Sequence, residues 1–512
     1  MRLLWLGNNA LFLKNLRERT RPGMIAAAAI VTALVVVLVL VSVSTATGRG
    51  GVPWERQAFF VLACCQGLVL ALLGSVSVSA MTARERTQGT LDFHRTSPTS
   101  PFNMVVGLIL GAPILEWCSV LAVLPLAVSF GLRGGVALPL MGTLYGFMLL
   151  TVLLLHALCA AMTLTVERKS LHRVQSAIPV LLLLASFWVT AGGVGMRLGP
   201  LLHATCMPVV WTCFAAITEH RQDVFETAPF FGVMLPLWTM QIMVQGPLLL
   251  FAGLAAVRKI ARPERPPFSK VQALAAAAFL LFLYVGAAKP AYGLPAAERL
   301  YPVIPPLLSS LYYVFGLGLA GILIVSPRYL AHLQALRRMQ REGRHHLLPF
   351  EEGASNLAWL VVYAGLAAIA FCVLLWFEPP GGLIPAALAF LLAMSYLAWF
   401  AGGLELFYLS EQRKKRALMF VCVAAPWVLL PILGGVLDVN LQQDIVRTVL
   451  MSFSPFFGIG LSWTVLGADL SGVSNSSLFH FAVLPLVLNA ALAVLLHTFA
   501  WAARMRLHRE HQ

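Results

Sequence analysis

Three ionisable side chains lie within long apolar stretches of this sequence. They are Glu116 in GAPILEWC, His156 in a leucine-rich run and Glu405 in GGLELF. A carboxylate or an imidazole at membrane depth is costly unless it faces the protein interior or a polar partner, and such groups often mark a proton or substrate path. All three are therefore candidates for a translocation path.

Each of the three also has a structural interpretation. Glu116 can serve in a substrate or proton path or in an interhelical hydrogen bond, and the sequence leaves both open. A packed histidine is the favoured interpretation of His156. Glu405 lies near the basic turn EQRKKR at 411–416, which favours the membrane interface or a basic partner over a substrate role.

A charged segment at 83–101, ARERTQGTLDFHRTSPTSP, separates two of the apolar runs. It is longer than a connection between two membrane spans requires. Serine suits the cap of a helix and proline suits its first turn, so Ser100 and Pro101 predict the start of the next helix. The residues before this pair predict a short helix that lies across the membrane face.

The composition predicts the elements that hold these residues. Hydrophobic residues make up 59% of the 512 residues, charged residues make up 11%, and the mean hydropathy is +0.83. A soluble domain carries about twice that share of charge. At about 20 residues per span, the chain has room for about twelve transmembrane helices. The long apolar runs do not alternate as barrel strands do, so we predict an all-α polytopic membrane protein.

The apolar runs divide the chain into two halves. An amphipathic cytoplasmic segment at 1–23 precedes the first half at 24–260. A cytoplasmic linker at 261–270 leads to the second half at 271–503, and a basic tail at 504–512 follows. The predicted spans are 24–44, 57–80, 103–130, 136–164, 175–195 and 231–257, then 271–288, 304–326, 355–377, 383–409, 417–437 and 479–502.

The two halves repeat one plan. Each has two spans, a charged island, two spans, a short basic turn, one span, a short proline-containing piece and a last span. The proline-containing pieces lie at 198–228 and 438–478. Repeats of equal orientation are a known transporter architecture, so we predict two parallel six-span repeats. Gly107 and Gly111 predict close helix packing within the first.

The distribution of basic residues predicts the orientation. If the N-terminus, the islands, the basic turns and the basic tails lie on one side, that side holds 28 of the 36 Lys and Arg residues. The positive-inside rule then places both termini in the cytoplasm. The net charge of +15 is explained in this way without nucleic acid. We expect a bacterial cytoplasmic (inner) membrane.

The motifs of common catalytic and metal sites are absent. The sequence contains no GxxxxGK[ST] phosphate loop, no HExxH and no CxxC. Its eight cysteines fall in apolar segments and are interpreted as buried thiols. We therefore predict that the chain is not an enzyme and has no catalytic residues, metal site or bound cofactor.

The 83–101 segment resembles the loop after the second span of type-2 ABC exporter permeases. That loop typically reads glutamate, a few residues, Gly-Thr-Leu, then a Ser/Thr-Pro pair. The matching residues are Glu85, Gly89, Thr90, Leu91, Ser97 and Pro98. The six-span plan with a short re-entrant piece before the last span is also similar. The resemblance covers the first half to about residue 260, whereas the second half matches in layout only.

The resemblance implies a permease subunit that moves substrate out of the cytoplasm. Separate ABC ATPase subunits, expected in two copies on the cytoplasmic face, would use ATP and Mg. The 83–101 segment would dock on them. Arg84, Arg86 and Arg95 could meet acidic residues of the ATPase, while Leu91 and Phe93 could fill a groove.

The island of the second half has a different sequence. It contains neither a Gly-Thr pair nor a matching Ser-Pro pair. Its helical pattern, with Leu333 beside Arg337, Arg338 and Arg341, is a candidate for a second coupling island. The alternative is a helix that lies on anionic membrane lipid.

Two other function classes are open at this stage. One is a secondary transporter driven by protons through Glu116. The other is a membrane-embedded enzyme or an assembly scaffold.

Overall fold

A computed structural model describes residues 9–46, 53–96, 99–166, 228–292, 306–326, 329–344, 347–377, 383–409, 454–455 and 483–510. The chain forms two compact units, Met1–Pro263 and Glu264–Gln512. Five predictions lie outside the described residues. They are the spans at 175–195 and 417–437, most of the pieces at 198–228 and 438–478, and the pair Ser97-Pro98.

The described part of the first unit is helical apart from one hairpin. Its helices are α1 (Ala10–Arg19), α2 (Pro22–Ala46), α3 (Trp54–Leu68), α4 (Ser75–Thr87), α5 (Thr90–Thr96), α6 (Pro101–Gly111), α7 (Ile114–Arg133), α8 (Leu138–Thr165) and α9 (Leu237–Ala261). A π-helical stretch, Val69–Gly74, joins α3 to α4 in one rod. The antiparallel hairpin consists of β1 (Ala228–Phe230) and β2 (Val233–Leu235).

The described part of the second unit is helical. Its helices are α10 (Lys270–Tyr292), α11 (Pro306–Val325), α12 (Tyr329–Arg341), α13 (Leu357–Phe377), α14 (Leu383–Leu409) and α15 (Leu484–Glu510). The helix α15 continues through most of the predicted basic tail.

Among the described residues, eight helices are long and apolar enough to cross a membrane. They are α2, the α3–α4 rod, α7, α8, α9, α13, α14 and α15. Shorter apolar stretches lie in α6, α10 and α11. These helices make the chain an integral membrane protein of the all-α class. Helices suit this environment because each satisfies its backbone hydrogen bonds within one segment.

Two predicted spans of the first half were wrong in extent. The span at 103–130 is two helices, because Pro113 has no N–H to continue α6 and instead begins α7. The span at 231–257 begins with the hairpin, and its helix starts only at Leu237 and ends at Ala261. In the hairpin turn, Phe231 and Gly232 have positive φ of 49° and 83°.

The N-terminal helix α1 packs directly on α6. A Cβ at Gly107 would lie 3.1 Å from the backbone nitrogen of Phe12, and one at Gly111 would lie 3.2 Å from Phe12 Cα. Asn15 Nδ2 donates to the Gly107 carbonyl at 3.3 Å. The two glycines therefore permit the close packing predicted for them, and the partner is the N-terminal helix.

Candidate functional site

The 83–101 segment folds as a helix end, a turn, a short helix and a new helix. Gly89 occupies the turn after α4 with φ of +75°, a conformation that glycine adopts without strain. The Ser100 side chain accepts a hydrogen bond from Asn103 N at 3.2 Å, and Pro101 is the first residue of α6. The predicted helix start at Ser100-Pro101 is confirmed.

Glu85 is a buried residue that bonds to other helices of the first unit and is not a surface residue. Its side chain is 0% exposed, and Lys14 Nζ donates to its Oε1 at 2.6 Å. The hydroxyl of Thr90 donates to the backbone oxygen of Glu85 at 2.9 Å and also to its carboxylate. This one carboxylate therefore holds α1, α4 and α5 together.

Two arginines of the segment bind the carboxyl ends of other helices. Arg86 donates to the carbonyls of Thr163, at 3.0 Å, and of Val166, where α8 ends. Arg95 donates to the carbonyl of Ile260, in the last turn of α9. Cations suit these positions because the last carbonyls of a helix lack intrahelical partners. The segment is thus fixed to the ends of two further helices.

The expected contact residues differ in exposure. Phe93 is 71% exposed on α5, and Arg84 is exposed with an ion pair to Glu18 at 3.2 Å. Leu91 is buried, so it is not available to fill a groove on a partner. Arg86 is occupied by the end of α8. Phe93 and Arg84 are the members of the expected set that present their side chains outward.

The second island forms the helix α12, whose apolar face packs on its own unit. Leu336 and Met339 are buried and Leu333 is half-buried, whereas the three candidate arginines of this island, Arg337, Arg338 and Arg341, are exposed. A ring nitrogen of His332, Nδ1, donates to the Gly353 carbonyl at 2.7 Å. Burial lowers the pKa of His332.

Glu116 lies in the first turn of α7 rather than in the middle of a span. Arg19 Nη1 lies 3.3 Å from its Oε2, and Ser77 Oγ donates to its Oε1 at 2.5 Å. The Arg19 side chain also donates to the carbonyl of Ala112. The carboxylate therefore joins α1, α4 and α7.

His156 is fully buried in α8. Its Nε2 lies 3.0 Å from the carbonyl oxygen of Leu70, in the π-helical stretch. A wider helical turn leaves carbonyls without their usual i+4 partner, and a neighbouring side chain can then bind one of them. This contact fits the packed histidine favoured by the sequence.

Glu405 is the centre of a buried polar cluster in the second unit. Its side chain is 0% exposed and forms an ion pair with Arg504 of α15. The backbone nitrogen of Asn356 donates to Oε1 at 3.1 Å, and Ser355 Oγ donates to Oε2 at 3.3 Å. His497 Nδ1 lies 3.9 Å from Oε2. The carboxylate thus joins α14 to α15 and to the start of α13.

Lys270 is a buried cation near this cluster that the sequence did not reveal. Its Nζ donates to the carbonyls of Ala354 at 2.8 Å and Ser355 at 2.6 Å. Burial lowers the pKa of Lys270 to about 8. In the sequence, Lys270 is a basic residue at the start of an apolar run. The positive-inside rule explains such a residue without burial, so its buried position could not be predicted.

Glu85 and Glu116 both form ion pairs with residues of α1, Lys14 and Arg19 respectively. Neither glutamate has a hydrogen bond or ion pair with His156 among the described residues. In the described part of the chain, no group of three or more His, Cys, Asp or Glu side chains could hold a metal ion.

Comparison of the chain with known protein families, with curated proteins and with solved structures gives no match.

Proposed function

We propose that this chain is the membrane-spanning permease subunit of an ATP-driven ABC exporter and moves substrate out of the cytoplasm with a separate ATPase. The observation that carries the proposal is the anchoring of α5. This short helix has an exposed phenylalanine, Phe93, and is tied to the end of α4 through Glu85 and to the end of α9 through Arg95. Arg86, on α4, binds the end of α8. A soluble partner bound to α5 would therefore act directly on α4 and α9, and on α8 through α4.

The energy for transport comes from the partner in this scheme. The sequence has no phosphate-binding loop, so ATP and Mg are used by the ATPase subunits, expected in two copies. Nucleotide binds one state of the ATPase pair more tightly than the other, and this difference shifts the permease between conformations. The permease itself performs no covalent chemistry.

We propose twelve spans in two parallel six-span repeats. Corresponding helix pairs pack in both units, which supports the duplication. In the first unit α2 packs on α3, α3 on α7, and α8 on α9. In the second unit the corresponding pairs are α10 on α11, α11 on α13, and α14 on α15. The runs at 175–195 and 417–437 would supply the fifth span of each half. We place both termini in the cytoplasm and the protein in the bacterial inner membrane, from the distribution of basic residues.

Truncation of Phe93 tests the docking surface. Gentle purification of the full chain from its native membrane, with crosslinking and mass spectrometry, should recover an ABC ATPase. Phe93→Ala should weaken its binding by roughly 25-fold, because a buried aromatic anchor contributes about 2 kcal/mol to an interface. Phe499→Ala, at an exposed phenylalanine of the membrane-span helix α15, is the matched control and should bind normally.

Two results would count against this scheme. Absence of any ABC ATPase, even after crosslinking, would overturn the exporter proposal. Undiminished ATPase binding by Phe93→Ala would remove α5 as the docking site. Replacement of Glu85 or Thr90 is a poorer test, because their contacts hold the segment together.

The contacts of Glu116 separate this proposal from proton-coupled transport. Arg19 and Ser77 already hold the carboxylate, which supports a structural role. Glu116→Gln keeps an acceptor for Ser77, so transport in reconstituted vesicles should continue at a rate within about threefold of wild type if ATP drives it. Loss of substrate-linked proton flux in this variant would instead favour a proton-driven carrier.

A further inference from the structure

A cavity of about 330 Å³ lies between α2, α3 and α7, within the first unit. Its wall is apolar along most of its length, with Val35 from α2, Leu62 from α3 and Val123 from α7 among the lining side chains. A few polar groups lie along it, including Gln66 and Glu116. A largely apolar site with few polar groups suits an amphiphilic ligand.

The cavity is open to the outside of the protein beside α2. Val31 and Leu73 line it, and yet their side chains are 60% and 51% exposed. Because α2 has the length and composition of a membrane span, this opening faces lipid. A lipid chain can therefore enter from the side without crossing the protein.

The cavity has the depth of one membrane leaflet. Its lining positions on α2 run from Ala27 to Val36, which corresponds to about 13 Å of helix. Half of a hydrocarbon core of about 30 Å is about 15 Å. Arg21 lies just before α2, about 9 Å of chain rise from Ala27. This places Arg21 at the headgroup level of that leaflet.

Two cations shortly before α2 in the sequence, Arg17 at the end of α1 and Arg21, are not neutralised by an ion pair in the described part of the chain. The neighbouring carboxylates are already paired: Glu85 with Lys14, Glu18 with Arg84, and Glu116 with Arg19. Among the described residues, neither Arg17 nor Arg21 forms an ion pair, and both are exposed. An anionic headgroup complements such a pair of cations.

We propose that this cavity binds an anionic phospholipid, with one acyl chain between α2, α3 and α7 and the phosphate beside Arg17 and Arg21. The site does not depend on the transport proposal, since it follows from the first unit alone. A bound chain would fill the gap between α2 and its neighbours and hold this helix in place.

Photocrosslinking tests the proposal in the full chain. The protein is reconstituted in nanodiscs of phosphatidylcholine with a small fraction of phosphatidylglycerol that carries a diazirine on one acyl chain. Labelled peptides are then mapped by mass spectrometry. We expect label on α2 and α7, displaced by excess unlabelled phosphatidylglycerol and much less by phosphatidylcholine.

Cavity-filling and charge variants identify the site. Ala28→Trp should abolish the displaceable label, whereas Leu34→Trp, on a lipid-exposed position of α2 that does not line the cavity, should not. Removal of both charges in Arg17→Gln with Arg21→Gln should weaken phosphatidylglycerol competition by roughly 25-fold, about fivefold per arginine. Arg133→Gln, at the other end of α7, is the charge control.

Three results would overturn the proposal. The first is label on α2 and α7 that excess lipid does not displace, or that is unchanged in Ala28→Trp. Such label would come from boundary lipid only. A second is equal competition by phosphatidylcholine and phosphatidylglycerol, which removes the anionic headgroup. The third is displaceable label confined to other helices. If Ala28→Trp fails to fold, the displacement pattern of the wild-type protein decides alone.

Discussion

Glu405→Leu is expected to destabilise the protein by about 3–5 kcal/mol, which is the usual cost of removing one partner from a buried ion pair. The carboxylate is fully buried, and its removal leaves the neighbouring cations Arg504 and Lys270 without this negative charge. The backbone nitrogen of Asn356 also loses its acceptor. The effect is therefore larger than the loss of a single neutral hydrogen bond.

This result can be measured by unfolding the purified chain in mixed detergent micelles with increasing denaturing detergent. Glu342→Gln is the control, because Glu342 forms an exposed ion pair with Arg344, and such pairs contribute at most about 1 kcal/mol. If Glu405→Leu and Glu342→Gln shift the free energy of unfolding equally, the cluster around Glu405 is not a structural centre of this unit.

Lys14→Met is expected to cost about 3 kcal/mol, and more than Glu85→Gln at the other side of the same ion pair. The two partners differ in exposure: the Lys14 side chain is 31% exposed and that of Glu85 is 0% exposed. Removal of the lysine strands a buried charge. Removal of the carboxylate leaves a lysine that can turn into water, at a cost of about 1 kcal/mol.

The double variant Lys14→Met with Glu85→Gln should recover much of the stability lost in Lys14→Met. All three variants can be compared by the same detergent titration, with Arg17→Met as the control for loss of an unpaired cation on α1. A larger loss for Glu85→Gln than for Lys14→Met would contradict the assignment of Glu85 as the buried partner.

The positions of the helices were largely readable from the sequence. Long apolar runs satisfy their own backbone groups only as helices, so α2, α13 and α14 lie close to the predicted spans 24–44, 355–377 and 383–409. The break at Pro113 was also encoded locally, but the apolar residues on both sides concealed it. Hydropathy indicates whether a segment is apolar enough for the membrane, but it does not show where a helix is broken.

The partners of the charged side chains were not readable. Arg19 was predicted only as a basic residue of the inner surface, yet it binds Glu116, a residue far along the chain. Lys270 and Arg504 were likewise counted only as positive charge. No spacing rule relates such residues, because their distance depends on how separate helices pack.

The sequence by itself therefore determined the class of the protein, an all-α membrane protein, and the locations of its charged islands. Only the tertiary structure decided that Glu85 and Arg95 tie α5 to α4 and α9, and that Arg86 ties α4 to α8, while Phe93 remains exposed. The physical reason is that hydrophobicity and helix capping act within one segment, whereas ion pairs and cavities form between segments that the chain brings together only on folding.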